Sequence, residues 1–203
     1  MTDYFVLLGE IRRPWLEPEL LREKFLGLSR QVHPDRLHNT SEVERTAGHS
    51  RYVELNAAYQ CLREPGKRLR HLLDLEGAAA NRNVQEIPKD IADLFMEIGP
   101  CFREADLLIQ RKNSITSPLL QVQWFEESQP CRDTLEQLRH KLDERTQSAL
   151  HQMQAIDAQW KSEGQEESSR TTLLKRLEGV SVQFSYFEKW RGQLQERIMR
   201  MNL

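Results

Sequence analysis

Pro18-Glu19-Leu20-Leu21-Arg22-Glu23-Lys24-Phe25-Leu26-Gly27-Leu28-Ser29-Arg30-Gln31-Val32-His33-Pro34-Asp35 is the stretch on which the fold turns. Leu21, Phe25, Leu28 and Val32 recur at spacings of four, three and four, which puts them on one face of a helix. Pro18 suits the first turn, where a missing N–H costs nothing. Pro34 ends the helix, because its ring pushes His33 out of helical geometry and it has no N–H to donate. His33 and Asp35 are thereby turned outward at a stiff corner. Taken alone, the tripeptide is a helix stop with an Asx-type turn.

Its flanks give it weight. Upstream, Tyr4, Phe5, Leu7 and Leu8 form a short apolar opening closed by Gly9. Downstream, Ser41 with Glu44 reads as a capping box. The helix it opens carries Tyr52, Leu55, Tyr59 and Leu62, and Pro65-Gly66 breaks it. A shorter helix with Leu69, Leu72 and Leu73 runs to Gly77. Residues 1–76 thus read as one compact set of helices. Residues 77–88, small and polar, read as a linker.

From residue 89 to 203 the pattern is again helical. Ile91, Leu94, Phe95 and Ile98 open it, and Gly99-Pro100 is expected to kink or interrupt that helix. Residues 112–130 are ambiguous: Ser117-Pro118 and Gln129-Pro130 bracket a short segment containing Trp124 and Phe125. From Pro130 a long helix is expected on Leu135, Leu138, Leu142, Ala149, Met153 and Ile156, with a gap at Thr146. Gly164 and its polar neighbours mark a turn. A last helix bears Leu173, Leu177, Val180, Phe184, Phe187, Leu194 and Ile198, interrupted at Arg191. Alternating three–four spacing is that of antiparallel bundles.

The totals agree. Among 203 residues there are only 9 Gly and 8 Pro, a composition of long helices. Lys plus Arg is 29 against 31 Asp plus Glu, for a net charge of −2, which argues against nucleic-acid binding through bulk charge. Residues 1–76 hold 12 basic and 12 acidic side chains, leaving 17 and 19 for the rest, so neither half is a polyelectrolyte. No apolar run approaches the ~20 residues of a membrane span. Cys61, Cys101 and Cys131 are odd in number and dispersed, which disfavours a disulfide scaffold or a four-cysteine cluster site. No secretory signal is visible at Met1-Thr2-Asp3-Tyr4, so a reducing compartment is expected: cytoplasm, or mitochondrial matrix if the protein is eukaryotic and already processed.

His33-Pro34-Asp35 at the end of the second helix, with Tyr4-Phe5-x-Leu7-Leu8-Gly9 before it and Asn56-Ala57-Ala58-Tyr59 after it, resembles a J-domain. J-domains stimulate the ATPase of DnaK/HscA-type heat-shock chaperones. The run Asn56-Ala57-Ala58-Tyr59…Leu62-x-x-Pro65-x-x-Arg68…His71-Leu72-Leu73-x-x-x-Gly77 resembles the corresponding segment of HscB-type iron–sulfur cluster co-chaperones. Leu94-Phe95-Met96-Glu97-Ile98 is similar to that family's Phe-Leu-Met-Glu helix. Tyr186-Phe187-Glu188-Lys189-Trp190 is similar to its aromatic-Leu-Asp-Lys-Leu stretch. The likeness spans nearly the whole chain and is densest in residues 1–77. Departures are Val32 where an aromatic is common, His71 where the family often has Tyr, Gly99-Pro100 inside a helix that usually runs on, and an apparent insertion at 112–130. The zinc-binding cysteine pairs of some eukaryotic relatives are missing.

The resemblance implies an all-α protein: a J-domain (1–76), a linker (77–88) and a C-terminal three-helix bundle (89–203). It implies a non-enzymatic co-chaperone that recruits a chaperone ATPase and delivers the iron–sulfur cluster scaffold to it, with no cofactor or metal of its own. His33, Pro34 and Asp35 are the expected chaperone contacts, with Arg22, Lys24, Arg30 and Arg36 as charges that steer encounter. Leu94, Phe95, Met96, Glu97, Ile98 and, more weakly, Tyr186 are the expected scaffold contacts. By spacing alone, Leu94 and Ile98 face the core and Met96 and Glu97 face outward. A monomer is favoured, without nucleic-acid or membrane partners.

Three other readings compete. The bundle of a general J-protein can serve a different client. A helical dimerisation protein can carry His-Pro-Asp by chance. In an enzyme, His33 and Asp35 would act as an acid–base pair, but no nucleophile, orienting group or metal set accompanies them. His33 and His38 lack a recognised ligand spacing, and His49, His71, His140 and His151 are scattered.

Overall fold

A computed structural model describes residues 1–33, 41–78, 88–162 and 167–202. Seven helices are present among them and no strand: α1 (Tyr4–Leu7), α2 (Pro18–Gln31), α3 (Glu42–Arg63), α4 (Pro65–Leu75), α5 (Lys89–Asn113), α6 (Pro118–Ser162) and α7 (Glu167–Asn202). The protein is all-α, as the periodicity requires. The chain packs as two compact units, Met1–Asn83 with Leu150–Ser181, and Val84–Ala149 with Val182–Leu203. The sequence-based division at 76 and 89 follows the chain, whereas packing gathers residues 150–181 with the first four helices.

In the first unit α2 and α3 form an antiparallel hairpin. Phe25 stacks on Tyr59 at 4.3 Å, and further along His33 meets Tyr52 edge-on at 5.7 Å. Leu21, Leu55, Ala58 and Leu62 are buried beneath. The Ser41 capping box forms as expected: the Glu44 N–H donates to Ser41 Oγ at 3.3 Å, and the Ser41 N–H donates to Glu44 Oε2 at 2.9 Å. α4 brings Arg68 into the interior. Its Nε donates to Pro14 O at 2.8 Å and its Nη1 to Leu62 O at 2.5 Å, so it satisfies a carbonyl at the end of α3 and one in the preceding loop. Burial depresses its guanidinium to about 10, still charged at neutral pH.

His71 is a packing residue with a chemical constraint. Its ring lies against Tyr4 and Phe5, at 4.6 and 5.8 Å, and Nε2 accepts the Tyr4 N–H at 3.1 Å. That acceptor role demands a neutral ring with the proton on Nδ1. Burial pushes its pKa below 6.5, against the opposing charges of Asp3 and Asp74. As pH falls, the unfolded chain takes up this proton first. Stability present above pH 6.5 is therefore expected to be lost as pH drops through the lower folded value. Urea titrations at stepped pH check this: His71→Phe should flatten the acid limb, at a cost of about 1 kcal/mol at neutral pH for the orphaned Tyr4 N–H. An equally steep acid limb in the variant would exclude His71 as the cause.

The second unit is a three-helix bundle of α5 with the adjoining parts of α6 and α7. Partners on α5 and α7 rise together, Asp90 with Gln183 and Asp106 with Arg197, so these helices run parallel. Glu97 pairs with Lys141 and Arg111 with Glu127, so α6 runs antiparallel to α5. Ile91, Leu94, Ile98, Ala105 and Ile109 of α5 pack into the core with Leu135, Leu138 and Leu142 of α6 and Phe184, Phe187, Trp190 and Leu194 of α7.

Three local expectations are corrected. Pro100 does not interrupt α5, which continues to Asn113. The buried stripe keeps its period across it, and Pro100 lies on the exposed side, where water can satisfy the Met96 carbonyl. Residues 118–130 are not a separate segment: α6 starts at Pro118 and passes through Pro130, also exposed. Trp124 anchors this first part, buried, with Nε1 donating to Leu108 O at 2.8 Å. The stripe of α7 is not broken at Arg191 either, since Trp190 is buried in its place.

The gap at Thr146 and the charge at Arg191 explain each other. Arg191 Nη2 donates to Asp143 Oδ1 at 2.8 Å and to Thr146 Oγ1 at 3.2 Å. One polar contact therefore spans the α6–α7 seam at its exposed edge.

Candidate functional site

Two surfaces carry the residues singled out in the sequence, one in each unit. On the first, α2 is amphipathic, with Leu21 inward and Arg22, Lys24 and Arg30 outward. Arg22 sits 3.6 Å from Glu19, one turn back. Lys24 is tied down: its Nζ donates to Gly9 O at 3.0 Å and pairs with Glu10 Oε1 at 2.8 Å. Lys24 therefore joins α2 to the loop before it, and a pure steering role fits Arg22 and Arg30 better. His33, half-buried beside Tyr52, stands where α2 ends. Asn56 locks the facing turn of α3, its Nδ2 donating to Tyr52 O at 2.8 Å. Pro34, Asp35, Arg36 and His38 lie outside the described residues.

On the second surface, the spacing argument separates the five residues of α5. Leu94 and Ile98 are 4% and 2% exposed, so they can serve a docking face only by fixing it from beneath. Phe95 is 59% exposed and Met96 73%, two large apolar side chains side by side in solvent. Glu97 pairs with Lys141 of α6 and rims them with charge. Tyr186 is half-buried, its ring 5.4 Å from Trp190. The parallel register places Tyr186 one turn past Gln183, which holds Asp90 at 3.2 Å, hence at the level of the Leu94–Ile98 turn. An apolar pair rimmed by charge is the anatomy of a protein contact.

Among the described residues no three His, Cys, Asp or Glu side chains stand together as a metal set. Burial raises the thiol pKa of Cys61, Cys101 and Cys131, the last to about 11, which disfavours their thiolate forms. No helix among the described residues is long and apolar enough to cross a membrane.

Comparison of the whole chain with solved structures gives the same architecture. Chaperone HscB from Vibrio cholerae superposes with a TM-score of 0.57 at 18% identity, with 96% of each chain covered. The fold is that of an HscB co-chaperone. Human co-chaperone protein HscB superposes with a TM-score of 0.56 at 13% identity, over 97% of this chain and 84% of that one. No family model matches the sequence. The HscB fold accounts for the order of elements seen here, with J-type helices first and a helical bundle after them. At these identities it speaks for the fold alone.

Sequence reading missed the residues that hold residues 12–15 in the first unit, Arg68, Asp157 and Trp160. Arg13 and Asp157 are 144 positions apart, so no local spacing signals their contact.

Proposed function

We propose that this chain is a J-domain co-chaperone that stimulates the ATPase of a DnaK/HscA-type heat-shock chaperone and presents an iron–sulfur cluster scaffold protein to it. The observation that carries the reading is an HscB fold with an exposed Phe95–Met96 pair on α5 and an α2–α3 hairpin between whose helices the sequence runs through His33-Pro34-Asp35. His33 at the end of α2, beside Tyr52, supports a contact role for the corner that follows. Asp35 then offers a carboxylate to a chaperone arginine, a charge-assisted and geometrically specific bond. Phe95 and Met96 supply the apolar centre of the client contact, Glu97 and Tyr186 its edge. Delivery follows because one chain holds both partners, which raises the effective concentration of scaffold at the chaperone. The chain itself performs no bond chemistry on this reading.

Single-turnover ATP hydrolysis by the chaperone tests it, measured alone, with this protein, and with this protein plus scaffold. Stimulation by the protein, enhanced further by scaffold, is the expected result. A chaperone indifferent to the wild-type protein sinks the co-chaperone reading.

A further inference from the structure

We propose that Asp157 is a positioning residue for α2: it clamps the loop of residues 9–16 onto α6, and the loop in turn holds the helix that leads to His33. The clamp stands on geometry alone, and its functional consequence rests on the co-chaperone reading above.

Asp157 is only 4% exposed, within the first compact unit. Its carboxylate accepts from Arg13 Nε at 2.9 Å, from Arg13 Nη2 and from the Trp15 N–H at 3.1 Å. Lys161, one turn further on, lies 3.8 Å away. Four consecutive loop residues are held from a distance. Trp160 Nε1 donates to Arg12 O at 3.1 Å, Arg13 and Trp15 bind Asp157, and Arg68 Nε donates to Pro14 O at 2.8 Å. The other end of the loop is bonded to α2, through Lys24 to Gly9 O and Glu10. The loop has no hydrogen-bonded ladder of its own; these bonds, with Arg12 Nε donating to Asp3 at 2.6 Å, the Glu10 N–H to Phe5 O at 2.8 Å and the buried Leu16 side chain, fix where it lies.

A buried carboxylate with two cationic neighbours and a backbone donor is not replaced by an amide. Asp157→Asn keeps the shape but leaves Arg13 uncompensated and one acceptor turned into a donor. The loop then loses its ties at Arg13 and Trp15 and keeps those at Arg12 and Pro14, so the segment that Lys24 joins to α2 is held less tightly. A loosened α2 binds the chaperone through the fraction of molecules still correctly arranged. Apparent affinity falls by that fraction, while stimulation at saturation stays unchanged.

The test uses the full chain. Hydrogen exchange is followed in wild type, Asp157→Asn and Arg13→Gln, the second variant guarding against a general loss of fold. Chaperone ATPase is titrated with each. Amides of residues 9–31 are expected to exchange about tenfold faster in both variants, with α5 unchanged. The half-saturating concentration should rise roughly threefold to tenfold at an unchanged plateau. Unchanged exchange over 9–31 overturns the clamp, as does acceleration spread evenly through α5 in both variants. Faster exchange with an unmoved half-saturation point overturns the positioning role. A wild-type protein that stimulates no chaperone removes the co-chaperone reading, and the exchange arm alone then decides the clamp.

Discussion

Asp35→Asn is expected to abolish stimulation of the chaperone ATPase while leaving the urea midpoint of the protein within about 0.5 kcal/mol of wild type. The substitution keeps size and shape and removes one negative charge. Asp35 follows Pro34 directly in the sequence, and proline does not continue a helix, so a neutral isostere there is expected to cost the fold little. The contact has much to lose. A carboxylate facing a desolvated arginine forms a charge-assisted bond, and neutralising one partner strands the other, at about 2–5 kcal/mol. At 1.4 kcal/mol per factor of ten, that is roughly thirtyfold to several thousandfold in affinity. ATPase titration beside a denaturation curve checks both halves. Stimulation retained at wild-type level would remove the J-domain reading. Arg30→Gln on the same helix should behave differently: a modest, salt-sensitive loss in association rate with the plateau intact.

Phe95→Ala/Met96→Ala is expected to weaken scaffold binding by about 2–4 kcal/mol, on the order of 30- to 1,000-fold, with the bundle still folded. Both side chains are mostly in solvent, so truncation opens no cavity. In a complex they would be the largest apolar groups of the patch, and central apolar anchors carry most of an interface's energy. Leu94→Ala is the informative contrast. Leu94 lies in the core, so its truncation is expected to cost about 2–5 kcal/mol of stability and to weaken binding only through lost fold. Calorimetric titration of scaffold protein into each variant, with thermal melts alongside, separates the cases. Wild-type affinity in the double variant moves the client contact off α5. No binding by the wild type leaves a J-protein with a different client.

The two gaps in the apolar stripes show where reading along the chain stops. Thr146 and Arg191 look like separate defects in α6 and α7. Across the seam Arg191 donates to both Thr146 and Asp143, in one exposed polar contact. Pro100 and Pro130 mislead in the opposite way. Proline ends a helix when its clash and its missing donor fall where nothing compensates. Both lie on exposed sides of helices whose buried faces run on unbroken, so packing outweighs the local penalty. His71 looked like one more scattered histidine until its partner, 67 positions away, was in view.

Helical spacing, the capping box at Ser41 and the resemblance of residues 1–77 were enough to name the fold class. Those signals are local: each depends on residues within one or two turns, where backbone geometry dictates which side chains share a face. The same periodicity separated Leu94 and Ile98 from Met96 and Glu97, and left Phe95 open until its exposure was seen. Only the tertiary structure decided that residues 150–181 pack with the first four helices, that Lys24 is a tie rather than a free charge, and that Asp157 grips Arg13 and Trp15. Those contacts join side chains far apart in sequence. Their strength comes from desolvation and from the matching of donors to acceptors, and neither exists until the chain has folded.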